Sequence, residues 1–331
     1  MLDTPHIQAL LLVGNAMLLL TWYFLLLNKV SKHILMIYFW IHICTYGAIT
    51  ALFLFEDTFI KFDANPIKTM MFDFTYTNFP LYLLSSACLI GSYILFDYLS
   101  RTHEISKIIA LSQISIIIST VGYHFLGDRM STISVISMGI IVVGALISGL
   151  TRLSLKHPLA TLKEYDRHLV SWSLLNAFFI AIPELITFLC SQHYDPTTRE
   201  ILRMLTKHAR GIPFVTVIPL YMNIGVQWFN IMLLYFWIRR SSNERINLFQ
   251  IFKQHKKLLI TLALLHTGYI FCYFTAFAMI ENKNIISGIM QLYLPLTMIG
   301  GVILYRQRWN KFEAVGMGII ATGCLMSVFT L

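Results

Sequence analysis

The feature that most constrains this chain is an eleven-residue stretch that occurs twice. Met138 to Ser148 reads MGIIVVGALIS and Met317 to Ser327 reads MGIIATGCLMS, so seven of the eleven positions are identical. Both copies lie in the last apolar segment before a break, one near the middle of the chain and one near its end. Self-similarity of this kind predicts that the chain contains two copies of one structural unit.

Composition places both copies in a membrane. Of the 331 residues 57% are hydrophobic and 12% are charged, and the mean hydropathy is +0.68. Soluble domains carry about twice this charged fraction, which excludes a soluble fold. The formal net charge is +9, but the basic residues lie mainly between apolar runs. This pattern indicates contact with lipid headgroups rather than with nucleic acid.

A membrane-spanning helix needs about 20 mostly apolar residues, and lipid offers no hydrogen-bond partners to an irregular backbone. By this rule we predict ten helices, five in each half of the chain. They cover residues 8–28, 34–55, 79–99, 104–126, 131–150, 169–191, 212–238, 258–281, 284–305 and 312–330.

An odd number of spans in each copy turns the second copy upside down relative to the first. The predicted fold is therefore an all-α integral membrane protein, with ten transmembrane helices in two inverted five-helix repeats. The repeats would be residues 1–151 and 169–331, and residues 152–168 would link them. Asn15-Ala16 in the first span matches Asn176-Ala177 in the sixth.

Short cytoplasmic loops of membrane proteins hold the excess of lysine and arginine. Here most of the 25 basic residues lie in or beside the odd-numbered loops. This distribution predicts that both chain termini face away from the cytoplasm.

The turn after the predicted fourth span reads Leu126-Gly127-Asp128-Arg129-Met130-Ser131. It resembles the Leu-Gly-Glu-Arg-hydrophobic-Ser turn of the drug/metabolite transporter (DMT) superfamily, EamA type, although Asp128 replaces the usual glutamate. Tyr293-Leu294-Pro295-Leu296 looks like the matching part of the second repeat, whereas Arg306-Gln307-Arg308-Trp309 departs from the turn. The resemblance implies a ten-helix secondary transporter with a central cavity, in many members with both termini in the cytosol.

Glu184 is the only acidic residue well inside a predicted span. A charged side chain in the membrane is costly and usually faces a cavity on an ion or substrate path. Ser173, Asn176, Ile180 and Glu184 have helical spacing and should share one face. Glu184 is therefore the candidate site for a coupling proton or a cationic substrate. The small multidrug transporters are similar in placing a working glutamate in the first span of their repeat.

Polar and aromatic side chains recur at helical spacing in several spans, which is typical of a pocket for a small organic solute. Such residues also hold membrane helices together, so packing is the alternative for each. Asp97 and Arg101 are predicted to form an interfacial ion pair, and His42, His124 and His266 each stand alone, as core histidines do. The predicted substrate-binding or coupling residues are Glu184, Asn176, Asn15, Trp22, Tyr82, Ser86, Gln113, His266, Tyr269, Tyr273 and Gln291.

Glycines allow membrane helices to approach closely. The glycines at and near the fifth and tenth predicted spans are predicted to pack the fourth span against the fifth and the ninth against the tenth, or to form a homodimer surface: Gly127, Gly139, Gly144, Gly149, Gly316, Gly318 and Gly323.

Together these features favour a secondary active transporter working by alternating access, with protons as the candidate coupling ion, in the bacterial inner membrane. Spans without lysine or arginine clusters disfavour nucleotide sugars and favour amines or amino acids. The alternatives are a lipid-modifying membrane enzyme and a non-transporting scaffold or receptor. No cofactor, metal or enzymatic activity is predicted, since no histidines recur three or four residues apart.

Overall fold

The computed structural model describes residues 4–27, 34–54, 79–101, 108, 111–112, 114–126, 131–148, 167–192, 224–241, 248–279, 283–306 and 311–328. Regular structure in these ranges is helical throughout. The helices are α1 (Thr4–Leu27), α2 (Ile34–Leu54), α3 (Phe79–Ser100), α4 (Ile114–Phe125), α5 (Thr132–Ser148), α6 (Arg167–Gln192), α7 (Ile224–Ser241), α8 (Leu248–Met279), α9 (Lys283–Met290), α10 (Tyr293–Tyr305) and α11 (Lys311–Val328).

Several of these helices match the length and apolar character of membrane spans. Among the described residues, five helical stretches are long and apolar enough to cross a membrane: Ile7–Leu27, Ile34–Ala51, Phe79–Ser100, His168–Ile186 and Gly288–Tyr305. The chain is thus a helical membrane protein, as its composition predicts.

The ninth predicted span, residues 284–305, is not one helix. A turn at Gln291 and Leu292 separates α9 from α10. Pro295 has no N–H to donate to the Gln291 carbonyl one helical turn earlier, and its ring crowds that carbonyl. The Leu294 amide donates to the Gln291 carbonyl instead, at 3.1 Å. Pro295 therefore determines where the helix is interrupted, between α9 and α10.

Helix α8 begins at Leu248, well before the predicted span at residue 258. Its backbone leaves the helical conformation once, at His255 (φ −114°, ψ 16°). The Trp40 indole donates a 2.9 Å hydrogen bond to the Leu248 carbonyl, and its ring packs on Phe252 with the ring centroids 4.7 Å apart. These contacts hold the first turns of α8 against α2, in a region that precedes the predicted span at residues 258–281.

Helices pack mainly between the two halves of the chain. Helix α1 contacts α8, α9 and α10, and α6 contacts α3 and α4. Helix α2 contacts α7 and α8, α7 contacts α3, and α5 contacts α11. These contacts correspond between the two halves when each helix of the first half is matched with one of the second: α1 with α6, α2 with α7, α3 with α8, α4 with α9–α10 and α5 with α11. If matched helices are exchanged, each contact named above becomes another contact of the same set or stays the same.

The closest of these contacts joins α5 to α11. A Cβ atom on Gly144 would lie 2.7 Å from the Gly316 carbonyl oxygen, and one on Gly323 would lie 2.7 Å from the Ser137 carbonyl oxygen. The two contacts are equivalent, because Gly144 and Gly323 hold the same place in the two copies of the repeated stretch, and Ser137 and Gly316 each come directly before it. The later residue of each helix faces the earlier residue of the other, so the helices are antiparallel.

This contact corrects the prediction for the glycines. Gly144, Gly316 and Gly323 pack the fifth predicted span against the tenth, instead of the fourth against the fifth and the ninth against the tenth. The two copies of the repeated stretch therefore pack against each other. The sequence of one copy alone does not reveal this contact.

Two further glycine contacts correspond between the halves. A Cβ on Gly91 of α3 would meet the Phe179 ring of α6 at 2.6 Å, and one on Gly268 of α8 would meet Leu19 of α1 at 3.1 Å. The contact between α3 and α6 thus corresponds to the contact between α8 and α1. The contacts therefore match Gly91 with Gly268, and Leu19 with Phe179.

A second pair of contacts gives the same register for α1 and α6. Gly122 of α4 faces Leu185, and a Cβ on Gly300 of α10 would lie 2.7 Å from Leu25. Leu25 thus matches Leu185, as Leu19 matches Phe179.

In the observed register Asn15 corresponds to Leu175, whereas the sequence match pairs it with Asn176. One residue turns a helix by about 100°. Asn15 and Leu175 are both exposed, while Asn176 is buried. The predicted alignment of the first span with the sixth is therefore wrong by one residue.

Candidate functional site

A cavity of about 300 Å³ lies between helices of both halves. Its walls come from α1, α3, α4, α6, α8 and the α9–α10 break, with Tyr38 from α2. The volume is at the lower end of the range of about 300–1,000 Å³ found for small-molecule sites. The cavity therefore fits a small solute better than a nucleotide or a lipid.

The cavity wall has two chemically different sides. The helices α3, α4 and α6 and the chain just before α4 supply the polar side, with Ser92, Ser112, Ser115, Ser119, Thr120, Tyr123, Asn176 and Glu184. The same helices also contribute Leu89, Tyr93, Phe96, Ile116 and Ile180 to the lining. The helices α1, α8, α9 and α10 supply the aromatic side: Tyr23, Phe24, His266, Tyr269, Tyr273, Met290, Gln291 and Tyr293.

The two sides are built from corresponding positions. In the register that the glycine contacts set, each of seven lining residues of one half is matched by a lining residue of the other. The matched pairs are Leu20 with Ile180, Phe24 with Glu184, Leu89 with His266, Ser92 with Tyr269, Phe96 with Tyr273, Ser112 with Met290, and Ser115 with Tyr293. Glu184 on the polar side therefore corresponds to Phe24 on the aromatic side, so a carboxyl group is matched with a phenyl ring.

Glu184 gives the polar side its charge. The Ser119 hydroxyl donates a 2.7 Å hydrogen bond to Glu184 Oε2, which joins α4 to α6. Among the described residues that line the cavity, Glu184 is the only aspartate or glutamate, and no lysine or arginine accompanies it. The cavity therefore holds one carboxyl group without a basic partner in its described wall.

Asn176 connects three elements of the polar side. The Ser92 hydroxyl donates to Asn176 Oδ1 at 2.8 Å, and Asn176 Nδ2 donates to the Ser112 hydroxyl at 2.9 Å. The side chain is 1% exposed. Its two hydrogen bonds fix α6 against α3 and against the chain before α4, on the lining face that also carries Glu184.

We expect Asn176→Ala to destabilise the protein by about 1–2 kcal/mol, because two buried serine hydroxyls lose their partner. Thermal unfolding in detergent measures the change. In a double-mutant cycle with Ser92→Ala the two effects should not add, since both variants remove the same hydrogen bond. Fully additive effects would show that this hydrogen bond contributes nothing to stability.

His42 and His266 lie against each other where α2 meets α8. Their ring centroids are 5.4 Å apart in an edge-on arrangement. A 2.7 Å hydrogen bond joins His42 Nε2 to the Tyr93 hydroxyl, and a 3.3 Å one joins His266 Nδ1 to Thr45. The prediction that these two are hydrogen-bonded core histidines is confirmed, but they do not stand alone, because α2 and α8 bring their rings together. His124 is exposed and is not a core residue. In the part of the chain that the structure describes, no three His, Cys, Asp or Glu side chains could hold a metal ion.

Gln291 occupies the break between α9 and α10 and lines the cavity. Its Oε1 atom is buried and has no hydrogen-bond partner among the residues that the structure describes. A buried acceptor without a partner costs about 1–3 kcal/mol. This oxygen is therefore a point at which a bound molecule with a donor group gains affinity.

The structure brings six of the eleven predicted site residues to the cavity: Glu184, Asn176, His266, Tyr269, Tyr273 and Gln291. Asn15 and Trp22 face outward from α1, and Trp22 is 50% exposed. Tyr82 and Ser86 are buried in α3 but are not part of the lining. Gln113 lies outside the described residues. A role in binding stays a prediction for the whole set.

The sequence prediction missed the hydroxyl-bearing wall of the polar side. Ser112, Ser115, Ser119 and Tyr123 all line the cavity. Their spacing of three, four and four residues is that of one helix face. This row of hydroxyl groups was therefore visible in the sequence of the fourth predicted span. The prediction concentrated on the carboxyl group of the sixth span instead.

Comparison with known proteins shows a likeness in structure alone. A crystal structure of a protein matches 97% of this chain and 96% of its own length, with a TM-score of 0.62 and 12% sequence identity. At this identity the likeness concerns the fold and not the function. No family model matches the sequence, and neither does any curated protein.

Proposed function

We propose that this protein is a secondary active transporter that moves a small organic solute across a membrane by alternating access, with Glu184 as the proton-binding group. The observation that carries the proposal is the cavity between the two halves, which combines one carboxyl group with aromatic walls. Ligand sites of this kind of transporter lie at the interface of two repeats, and the repeats rock about the site.

The proposal takes the two halves as inverted repeats of five spans each, residues 1–151 and 169–331, joined by residues 152–168. The exchange of contacts between corresponding helices supports it, as do the paired glycine contacts and the matched cavity positions. The antiparallel packing of α5 on α11 supports inversion. A twofold axis that relates two antiparallel helices runs perpendicular to them, and for helices that cross a bilayer this direction lies in the membrane plane.

Proton coupling follows from the isolation of the Glu184 carboxyl group. A buried carboxylate without a basic partner is costly, so it holds either a proton or a cation. Ser119 already occupies one of its oxygens. If a proton and a cationic solute compete for the same carboxyl group, the movement of one is linked to the counter-movement of the other.

Membership of the DMT superfamily, EamA type, and a place in the bacterial inner membrane belong to the same proposal. They rest on the turn at residues 126–131 and on the repeat length. The homodimer predicted from the glycines is not part of it, since Gly144, Gly316 and Gly323 pack α5 against α11 within one chain.

Purified protein in liposomes tests the function directly. A screen of radiolabelled amines, amino acids and other metabolites should find a solute whose uptake rises when a pH gradient is imposed. Liposomes without protein and an ionophore that collapses the gradient are the controls. If no solute enters faster than in protein-free liposomes, with either direction of the gradient, the transporter proposal is wrong.

The repeat architecture makes a separate prediction about topology. With five spans in each half, the 152–168 linker and the C-terminus should lie on opposite sides of the membrane. Reporters that are active on one side only, inserted in the linker or fused after residue 331, measure this. The same signal from both positions would contradict two inverted five-span repeats, whichever way the protein faces.

A further inference from the structure

The charges around the cavity limit what can bind in it. The described lining has one carboxyl group, that of Glu184, and no lysine or arginine. A zwitterionic amino acid would bring its own carboxylate next to Glu184 without a basic partner, which costs free energy in a partly dehydrated site. A single positive charge, in contrast, is matched by Glu184. The lining therefore favours a monocation over an amino acid.

Hydrogen bonding limits the kind of cation. Glu184 is an acceptor when ionised, and charge-assisted hydrogen bonds to a carboxylate are about twice as strong as neutral ones. Gln291 Oε1 is a second acceptor, which is buried and has no partner in the described part of the chain. A quaternary ammonium group has no N–H and satisfies neither atom. A primary or secondary ammonium group can donate to Glu184.

The aromatic side supplies a place for a ring. The Phe24 and Tyr293 rings stack with centroids 5.4 Å apart, and the Tyr269 and Tyr273 rings are 6.0 Å apart. Such rings bind another ring through offset or edge-on contacts and attract a nearby cation through their faces. Gln291 lies at the break between α9 and α10, which supply this side of the cavity.

We infer that the cavity binds a protonated arylalkyl amine, with its ammonium N–H groups on Glu184 and its ring on the aromatic side, where a hydroxyl on that ring donates to Gln291 Oε1. This inference rests on the proposed function only in taking the cavity as the transport site. It specifies the solute class through three features: one positive charge, N–H donors on the charged nitrogen, and a donor at the far end of the ring.

Equilibrium binding to the purified full chain in detergent tests these features with four probes. Phenethylamine is the reference, and tyramine adds the ring hydroxyl. The N,N,N-trimethyl derivative of phenethylamine keeps the charge but has no N–H. Phenylalanine adds a carboxylate. We expect tyramine to bind about fivefold more tightly than phenethylamine. The trimethyl derivative and phenylalanine should each bind more weakly than phenethylamine, by a factor of at least about ten.

Variants assign these preferences to residues. Glu184→Gln should weaken phenethylamine about 10- to 100-fold, because an uncharged amide replaces the partner of the ammonium group. Gln291→Leu should leave phenethylamine within about twofold and remove the advantage of tyramine. Leu18→Ala, at an outward-facing position of the same α1 that carries Phe24, is the control and should change none of the four affinities. Elution as a single species with an unchanged melting temperature verifies folding of each variant.

The results separate this inference from the proposed function. Equal binding of phenethylamine and its trimethyl derivative, or tighter binding of phenylalanine, would overturn the inference. So would a tyramine advantage that survives in Gln291→Leu. Uptake of an unrelated solute by a protein that binds no amine would overturn the inference and leave the transporter standing. Amine binding in the expected order, without uptake in liposomes, would support the inference and contradict the transporter.

Discussion

Glu184→Gln is expected to abolish the response of uptake to a pH gradient in proteoliposomes. The glutamine has nearly the same size and can still accept the Ser119 hydrogen bond, but it neither binds nor releases a proton. Since coupling between two sites is commonly worth about 5- to 150-fold, we expect the gradient-driven rate to fall by about 100-fold. Initial rates of uptake at several imposed gradients measure the effect.

Asp97→Asn provides the matched control for this prediction. Asp97 is a buried carboxylate of α3, but it forms an ion pair with Arg101 at 2.6 Å and is not part of the cavity lining. The same change from carboxylate to amide should leave the gradient response in place. If the Glu184 variant keeps its pH response while the Asp97 variant loses it, the assignment of the coupling group is wrong.

Adding one methyl group to the α5–α11 contact is expected to have the largest effect on stability. The Cβ of Gly144→Ala would lie 2.7 Å from the Gly316 carbonyl oxygen and 2.8 Å from the Ile320 amide nitrogen. Both are backbone atoms, which cannot move aside as a flexible side chain can. Overpacking of this kind costs about 1–3 kcal/mol, and a value near the upper limit is expected here. Thermal unfolding in detergent measures it.

The same two helices supply the controls. Gly139 and Gly318 also hold the same place in the two copies of the repeated stretch, and a Cβ on either would have no atom of another element within 4 Å. Gly139→Ala and Gly318→Ala should therefore stay within about 0.5 kcal/mol of the parent protein. Gly323→Ala, the counterpart of Gly144→Ala, should destabilise by a similar amount. Equal melting temperatures for all four variants would show that the helices are not in close backbone contact.

Periodicity and composition predicted the features that arise within a single helix. Continuous apolar runs predicted membrane helices, because a chain in lipid must satisfy its own backbone hydrogen bonds. The spacing of Ser173, Asn176, Ile180 and Glu184 placed them on one face. The last three line the cavity, whereas Ser173 is buried and is not part of the lining. The ion pair between Asp97 and Arg101, one helical turn apart, was likewise predictable and is confirmed.

Features that depend on how one helix meets another were predicted less well. Asn15 and Trp22 lie on an apolar helix whose sequence does not mark the face that turns inward. Asn15 faces outward, like Leu175, which takes the corresponding place on α6, whereas Asn176 is buried. Pro295 was visible in the sequence, but the exposure of Gln291 to the cavity follows from the break together with the packing of α1 on α9 and α10.

The sequence by itself determined that this chain is helical and lies in a membrane, and it showed an eleven-residue stretch that occurs twice and a carboxyl group, that of Glu184, in an apolar segment. Only the tertiary structure decided which residues share the cavity. The reason is physical: the period of a helix is a local property of the backbone, whereas the rotation and height of one helix on another depend on where small residues let two backbones touch. Here Gly144 and Gly323 set that contact between the halves.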